Sequence, residues 1–181
     1  LPRVFEAAGA DPAMAVETAA PAVPAPTAAE LSAADLAASG LEYERVNADG
    51  EGFRPFQRAV ARGFLGGEST DDEAENARKT LRTRRLTAVY DRRGVEPAVP
   101  VGTIDSWASE LTTSPGRVAP LWSISAVTVA ATHRRRGIAR AMIGGELRTA
   151  AAAGFAIAGL TVTEATIYGR WGFSPAVHTS D

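Results

Sequence analysis

The sequence predicts a mixed α/β sheet flanked by helices, preceded by an Ala/Pro-rich N-terminal tail. Three observations carry that expectation. Phe53, Phe56, Val60 and Phe64 recur at helical spacing, and a capping box from Thr70 to Glu73 opens a second helix behind them. Between residues 86 and 129 the text turns to extended runs punctuated by Gly and Pro turns. Beyond residue 138 a helical stretch is followed by one more extended run. Two helices, a run of strands, a helix and another strand close on one core as a mixed sheet, with a right-handed crossover around the third helix.

From Asp11 to Ser39 alanine dominates, Pro12, Pro21, Pro24 and Pro26 interrupt it, and no aromatic residue occurs. Such text offers too little apolar area to offset the entropy of ordering it. Residues 1–40 therefore read as a tail or linker, disordered or partly helical, and residues 41–181 as one domain. Leu41, Tyr43 and Val46 begin that domain with a strand ending at the turn Asn47-Ala48-Asp49-Gly50. The first helix is stopped by Gly66-Gly67. In the second, Asp71 and Asp72 sit where the helix dipole favours acid, which accounts for the acidic cluster without a cationic substrate. Leu86 to Asp91 and Val99 to Trp107 are strands around Arg92-Arg93-Gly94, and Leu121 to Val129 follows the turn Ser114-Pro115-Gly116. A helix from Ile138 to Ala153 and a strand from Ile157 to Val162 complete the order. In that helix Glu146 falls inside the apolar arc of Ala139, Met142, Ile143 and Ala150, a position that demands a buried partner such as an arginine.

With 181 residues the chain has room for one core-forming domain. A net charge of -2 and a pI near 5.8 argue against broad nucleic-acid binding, which needs a basic face to displace counterions. An RNA-binding reading of the arginines fails on that balance. Cysteine is absent, which excludes disulfides, thiolate zinc sites and acyl-cysteine chemistry. His133 and His178 do not make a metal cluster. No apolar run reaches the roughly 18 residues that span a bilayer, so neither a membrane nor nucleic acid is expected as a partner, and the expected compartment is the cytoplasm. The chain opens on Leu1 rather than methionine, so a longer natural chain is expected.

The chemistry gathers around Thr132 to Met142, THRRRGIARAM. The extended run Ser125 to Val129 leads into a short polar loop, three arginines, Gly137 and a helix. Strand, glycine-containing loop and helix N-terminus form a phosphate-binding arrangement, because unpaired amides and the helix dipole converge there. Arg134, Arg135 and Arg136 add positive charge at that point, Gly137 lets the backbone approach a ligand, and Ala139 leaves the next amide unshielded. GxxxxGK[ST] and GxGxxG are both absent, so neither nucleotide fingerprint competes.

Arg134 to Ala139 matches [R/Q]-x-x-G-x-[G/A] and resembles the coenzyme A loop of the GNAT acetyltransferases. A second stretch, Leu160 to Phe173 (LTVTEATIYGRWGF), resembles the SE-x-x-IYGRFGY segment of the Eis-like (enhanced intracellular survival) branch of that family. Thr163 replaces the serine of that segment, Trp171 its phenylalanine and Phe173 its tyrosine. THRRRG occurs unchanged in the same branch. The detailed match covers Ser125 to Ala176, residues 41–121 agree only in element order, and residues 1–39 match nothing.

The resemblance implies a GNAT-like sheet and transfer of an acetyl group from acetyl-CoA to a primary amine, directly and in a ternary complex. It further implies that backbone groups of Val127 and Val129 pair with the pantetheine arm, one amide polarising the acetyl carbonyl. Amides from Arg135 through Arg136, Gly137 and Ile138 to Ala139, with the side chains of Arg134 and Arg135, would hold the pyrophosphate. Thr163 and Glu164 fall at the cofactor end of the second motif. For Glu164 two readings stay open, orienting the cofactor or amine and capping the short turn before Ile167. Tyr168 corresponds to the family's general acid. The acceptors implied are small amines, polyamine-like or aminoglycoside-like. The branch continues into further domains whose terminal carboxylate serves as base, so the resemblance also implies further domains, a chain cut short at its C-terminal end and a homo-oligomer. Asp181 is not assigned that role. The competing reading is a non-catalytic acyl-CoA-binding or assembly module of a longer protein.

Overall fold

The computed structural model describes residues 36–162 and 165–176. Strand β1 (Glu42–Val46) is followed by helices α1 (Phe53–Gly63) and α2 (Asp71–Leu81). Strands β2 (Arg85–Tyr90), β3 (Gly102–Ser114) and β4 (Arg117–Val129) then run up and down. A 3-10 turn at Ala131–His133 leads to helix α3 (Ile138–Ala152), strand β5 (Ala158–Leu160) and a 3-10 helix at Ala165–Trp171. The sheet order is β1-β2-β3-β4-β5, antiparallel except for the parallel β4/β5 pair. This is the mixed sheet with flanking helices that the sequence predicts.

Each face of the sheet has its own core. Leu86, Ala88 and Tyr90 pack with Phe53 and Phe56 of α1, while Val89, Ile104, Trp122 and Ile124 pack with Ile138, Met142 and Ile143 of α3. The second core is closed by Phe155, whose ring meets the Trp122 indole edge-on at 5.2 Å between centroids. Leu36 is buried in the same core, and the Leu36 carbonyl accepts from Ser39 and Leu41. The packed unit thus includes at least five residues before the boundary drawn at Leu41, because one leucine among alanines finds a place on the α3 side.

Thr70 caps α2 with the expected reciprocal box, its hydroxyl accepting from the Glu73 amide while its own amide donates to the Glu73 carboxylate at 2.8 Å. Helix α1 ends at Gly63, earlier than the Gly66-Gly67 stop suggests, and Phe64 is exposed rather than part of the apolar stripe. Close packing explains the early end. A Cβ on Gly63 would lie 2.4 Å from Thr128 Cβ, so the last turn of α1 rests directly on β4. Strands β3 and β4 are longer than their apolar runs, and beyond Ser106 and Trp122 they continue as a two-stranded ribbon past the rest of the sheet.

Glu146 has the partner its position demands. It is fully buried beneath α3 and accepts from Arg85 Nε at 3.0 Å and from the Ser106 hydroxyl at 2.6 Å, with the Thr87 hydroxyl at 3.5 Å. The contacts join α3 to β2 and β3. Breaking such a pair leaves an uncompensated charge in the core.

Candidate active site

Strand β4 pairs with β5 only from Trp122 to Ile124. Immediately beyond, the β3/β4 register slips: Asp105 faces Ser125 but Thr103 faces Thr128, so β4 carries one extra residue there. Ala126 absorbs the bulge with φ 51, a left-handed conformation that a non-glycine residue holds only under constraint. The Thr103 hydroxyl helps impose it by donating to the Ala126 carbonyl at 2.8 Å.

The bulge leaves one edge of β4 open. Ala130 donates its amide to the Val101 carbonyl, and antiparallel bonding alternates along the strand. Thr128 and Ala130 therefore turn their backbone groups toward β3, while those of Val127 and Val129 turn to the opposite edge. Among the described residues β5 has already ended there. Beyond Ile124, β4 thus has no strand partner on its β5 side among the described residues.

The arginine loop follows Val129, at the end of β4 that lies beyond its pairing with β5. Gly137 stands at the N-cap of α3 with φ 79, offers no side-chain cap, and no acidic residue occupies the first turn. Intrahelical bonding begins with the Ala141 amide donating to the Gly137 carbonyl, so the amides of Ile138, Ala139 and Arg140 precede the first helical donor. Arg134 and Arg135 are exposed and make no hydrogen bond or ion pair among the described residues. Arg135 adopts φ 64. Arg136 is different. It lies 3.5 Å from Asp91 through Nη1 and donates through Nη2 to the Ser39 carbonyl at 3.2 Å. Ile138 buries its side chain in the α3 core and can offer a ligand only its amide.

Tyr168 lies on the 3-10 helix beyond β5, with its ring buried against Trp171 and Phe173, each 6.1 Å away between centroids. Burial pushes the Tyr168 phenol above its ordinary value of 10.0. The hydroxyl has no hydrogen-bond partner among the described residues. Thr163 and Glu164 lie outside the described residues.

The non-glycine residues with positive φ among the described residues are Leu65, Ala126 and Arg135. Two belong to the bulge and the arginine loop, and Leu65 follows the turn of α1 that Gly63 packs on Thr128. Backbone strain of this kind persists where surrounding structure over-determines it, and functional sites are such places. Asp91 is the residue of this region that carries no local sequence signal. The cleft of about 280 Å³ between Arg45–Ala48 and Leu81–Arg84 lies at the other end of the sheet.

A five-stranded sheet whose fourth strand pairs with its parallel neighbour over three residues, followed by an uncapped helix, frames the site. Residues 47–176 match the family model described as the acetyltransferase (GNAT) domain, and the chain belongs to that family of N-acetyltransferases. Among its relatives, an uncharacterized N-acetyltransferase of Streptomyces avermitilis is 36% identical over 125 residues, covering 68% of this chain and 29% of the relative. The N-acetyltransferase Eis of Mycobacterium tuberculosis is 41% identical over 90 residues, 49% of this chain and 22% of Eis. The likeness to Eis is thus partial, and the chain spans less than a third of the length of these curated relatives. In fold, the chain is similar to a Trypanosoma brucei acetyltransferase (TM-score 0.61, 16% identity, 78% of this chain and 97% of that one). It is equally similar to an aminoglycoside acetyltransferase from a soil metagenomic sample, solved with sisomicin (TM-score 0.61, 19% identity, 80% and 97%). Among the described residues no helix is long and apolar enough to cross a membrane, and no group of three or more His, Cys, Asp or Glu is placed to hold a metal.

Proposed function

We propose that this chain is an acetyl-CoA-dependent N-acetyltransferase domain acting on a primary amine by direct transfer in a ternary complex. The observation that carries the reading is the continuity of the open β4 edge at Val127 and Val129 with the uncapped start of α3 and the unpaired Arg134 and Arg135. That path offers an extended strand edge followed by amides and guanidinium groups. It fits an amide-bearing arm that ends in a pyrophosphate.

Acetyl-CoA supplies the acetyl thioester. The amides of Arg135 to Ala139 and the side chains of Arg134 and Arg135 hold the pyrophosphate, and the backbone of Val127 and Val129 holds the arm. One of those two amides polarises the thioester carbonyl. As the amine nitrogen forms its bond to the acetyl carbon, the carbon–sulfur bond breaks and Tyr168 Oη gives its proton to the departing thiolate. The amine proton leaves to a base. With its pKa raised by burial, the phenol is fully protonated at neutral pH. Full transfer to a thiolate of cysteine-like pKa is uphill by at least about 2 kcal/mol, tolerable when the proton moves as charge develops. Thr163 and Glu164 belong to the same cofactor end by their place in the motif. The acceptor class we favour is polyamine-like or aminoglycoside-like, supported by the Eis likeness and by the fold shared with an aminoglycoside acetyltransferase.

Titration calorimetry with acetyl-CoA tests the binding half, and thiol release over a panel of primary amines tests turnover. Arg134→Ala with Arg135→Ala weakens acetyl-CoA by about tenfold or more, since each charge-assisted bond contributes about 1.5–3 kcal/mol. Acetyl-pantetheine, which lacks the pyrophosphate, is unaffected. No binding of acetyl-CoA by the intact protein overturns the reading. Binding without release from any amine, in the full natural chain as well, supports the acyl-CoA-binding module instead.

A further inference from the structure

We propose that Asp91 is a positioning residue that holds the arginine loop in the form that receives a pyrophosphate. The assignment rests on the coenzyme A reading of the site. Strands β2 and β4 run in the same direction with β3 between them, so the residue after β2 emerges at the end of the sheet where β4 stops. That residue is Asp91. Its Oδ1 accepts from the Arg93 amide at 3.1 Å, which fixes the carboxylate on its own turn. Its Oδ2 faces the other way, 3.2 Å from His133 Nε2 and 3.5 Å from Arg136 Nη1. His133 is held in turn by Thr132, whose hydroxyl lies 2.8 Å from Nδ1. One carboxylate oxygen thus ties down both sides of the Arg134-Arg135 pair.

The consequence is a division of labour within the triplet. Arg136 is spent on Asp91 and the Ser39 carbonyl, while Arg134 and Arg135 are left exposed between two anchored residues. Arg135 stands in the left-handed region at φ 64, a conformation that adjacent constraints must maintain. Without the carboxylate, three adjacent guanidinium groups repel one another with no local counter-charge, and the loop loses its tie to β2. The hydrogen bond from His133, followed by that from the Arg93 amide, holds the Asp91 carboxyl below its ordinary value of 3.8, so the charge is present throughout the neutral range.

Asp91→Asn keeps the shape of the side chain and its acceptor for Arg93 but removes the charge. Affinities of wild type and variant for acetyl-CoA and acetyl-pantetheine are compared by calorimetry, together with KM and kcat for acetyl-CoA. The expected result is a rise of about tenfold or more in the Kd and KM of acetyl-CoA, the scale of a displaced positioning contact. Acetyl-pantetheine affinity and kcat at saturation change less than about twofold. His133→Asn, which removes one of the loop's two contacts to Asp91 Oδ2 and leaves all three arginines, gives the same selective loss to a smaller degree and decides the matter if Asp91→Asn fails to fold. Equal losses for both ligands overturn the assignment in favour of a fold-wide role. Wild-type affinity for acetyl-CoA in both variants overturns it alone. A wild-type protein that binds no acetyl-CoA overturns the coenzyme A reading and this assignment together.

Discussion

Tyr168 has a ring that packs and a hydroxyl that the described structure leaves without a partner, and the two can be separated. Tyr168→Phe keeps the packing and removes the donor. Turnover is expected to fall by about 100-fold, within the range for a general acid, with acetyl-CoA affinity unchanged. Because burial raises the phenol above 10.0, its protonated form persists through mildly alkaline conditions, so Tyr168 contributes no fall in kcat between pH 7 and 9. A wild-type alkaline limb in that interval that vanishes in the phenylalanine variant would contradict this. Tyr168 and the arginines could be singled out as candidates because each lies in a contiguous stretch of chain. Asp91 was not, since it stands 42 residues before its partner His133 and its neighbours Arg92 and Arg93 read as a turn. Glu146 lay between these cases. The helical arc showed that it is buried, but Arg82, Arg84 and Arg85 stand close together at the start of β2 and only the strand's facing selects Arg85.

Helix α3 is seated by that buried pair as well as by its apolar stripe. Arg85 and Glu146 are 1% and 0% exposed, so Glu146→Ala leaves a guanidinium buried without its counter-charge. A loss of about 3–5 kcal/mol in unfolding free energy is expected by denaturant titration, far above the effect of exposed pairs such as Arg82–Asp49. Strand β4 shows why an element can be recognised and still be misread. From Trp122 to Thr128 every second residue is buried, which looks like one strand face. Trp122 and Ile124 do pack on the α3 side, but Thr128 lies beneath Gly63 of α1. The extra residue at Ala126 exchanges the faces midway, and because both faces are covered the burial pattern runs through without a break. Composition could not reveal the bulge. The length of the β3/β4 ribbon was hidden for a related reason: its residues alternate without a core to fill, and Val118 is 55% exposed.

In the whole molecule, strands β1 to β4 each pair with the next in sequence, and β5 alone arrives by a crossover, through α3. Element order was enough to anticipate the mixed sheet, since helix-strand-helix text admits few closures. It did not show that Leu36 enters the core or that the Ser39 carbonyl holds Arg136, because both depend on where the chain lies before β1. The brevity of β5 has a consequence for how the protein opens. Three residues join it to β4, and the Tyr168 segment follows directly, whereas the arginine loop is fastened to β2 through Asp91. A sub-global opening that releases β5 therefore carries away Tyr168, the proton donor we propose, and leaves the arginine loop in place. Amide hydrogen exchange should reveal it, with Ala158 to Leu160 exchanging at lower opening free energy than the amides of β2. Equal protection of the two strands would mean that they unfold as one unit. In the expected case, thermal inactivation precedes loss of acetyl-CoA binding, and a warmed preparation passes through a population that binds acetyl-CoA without transferring its acetyl group.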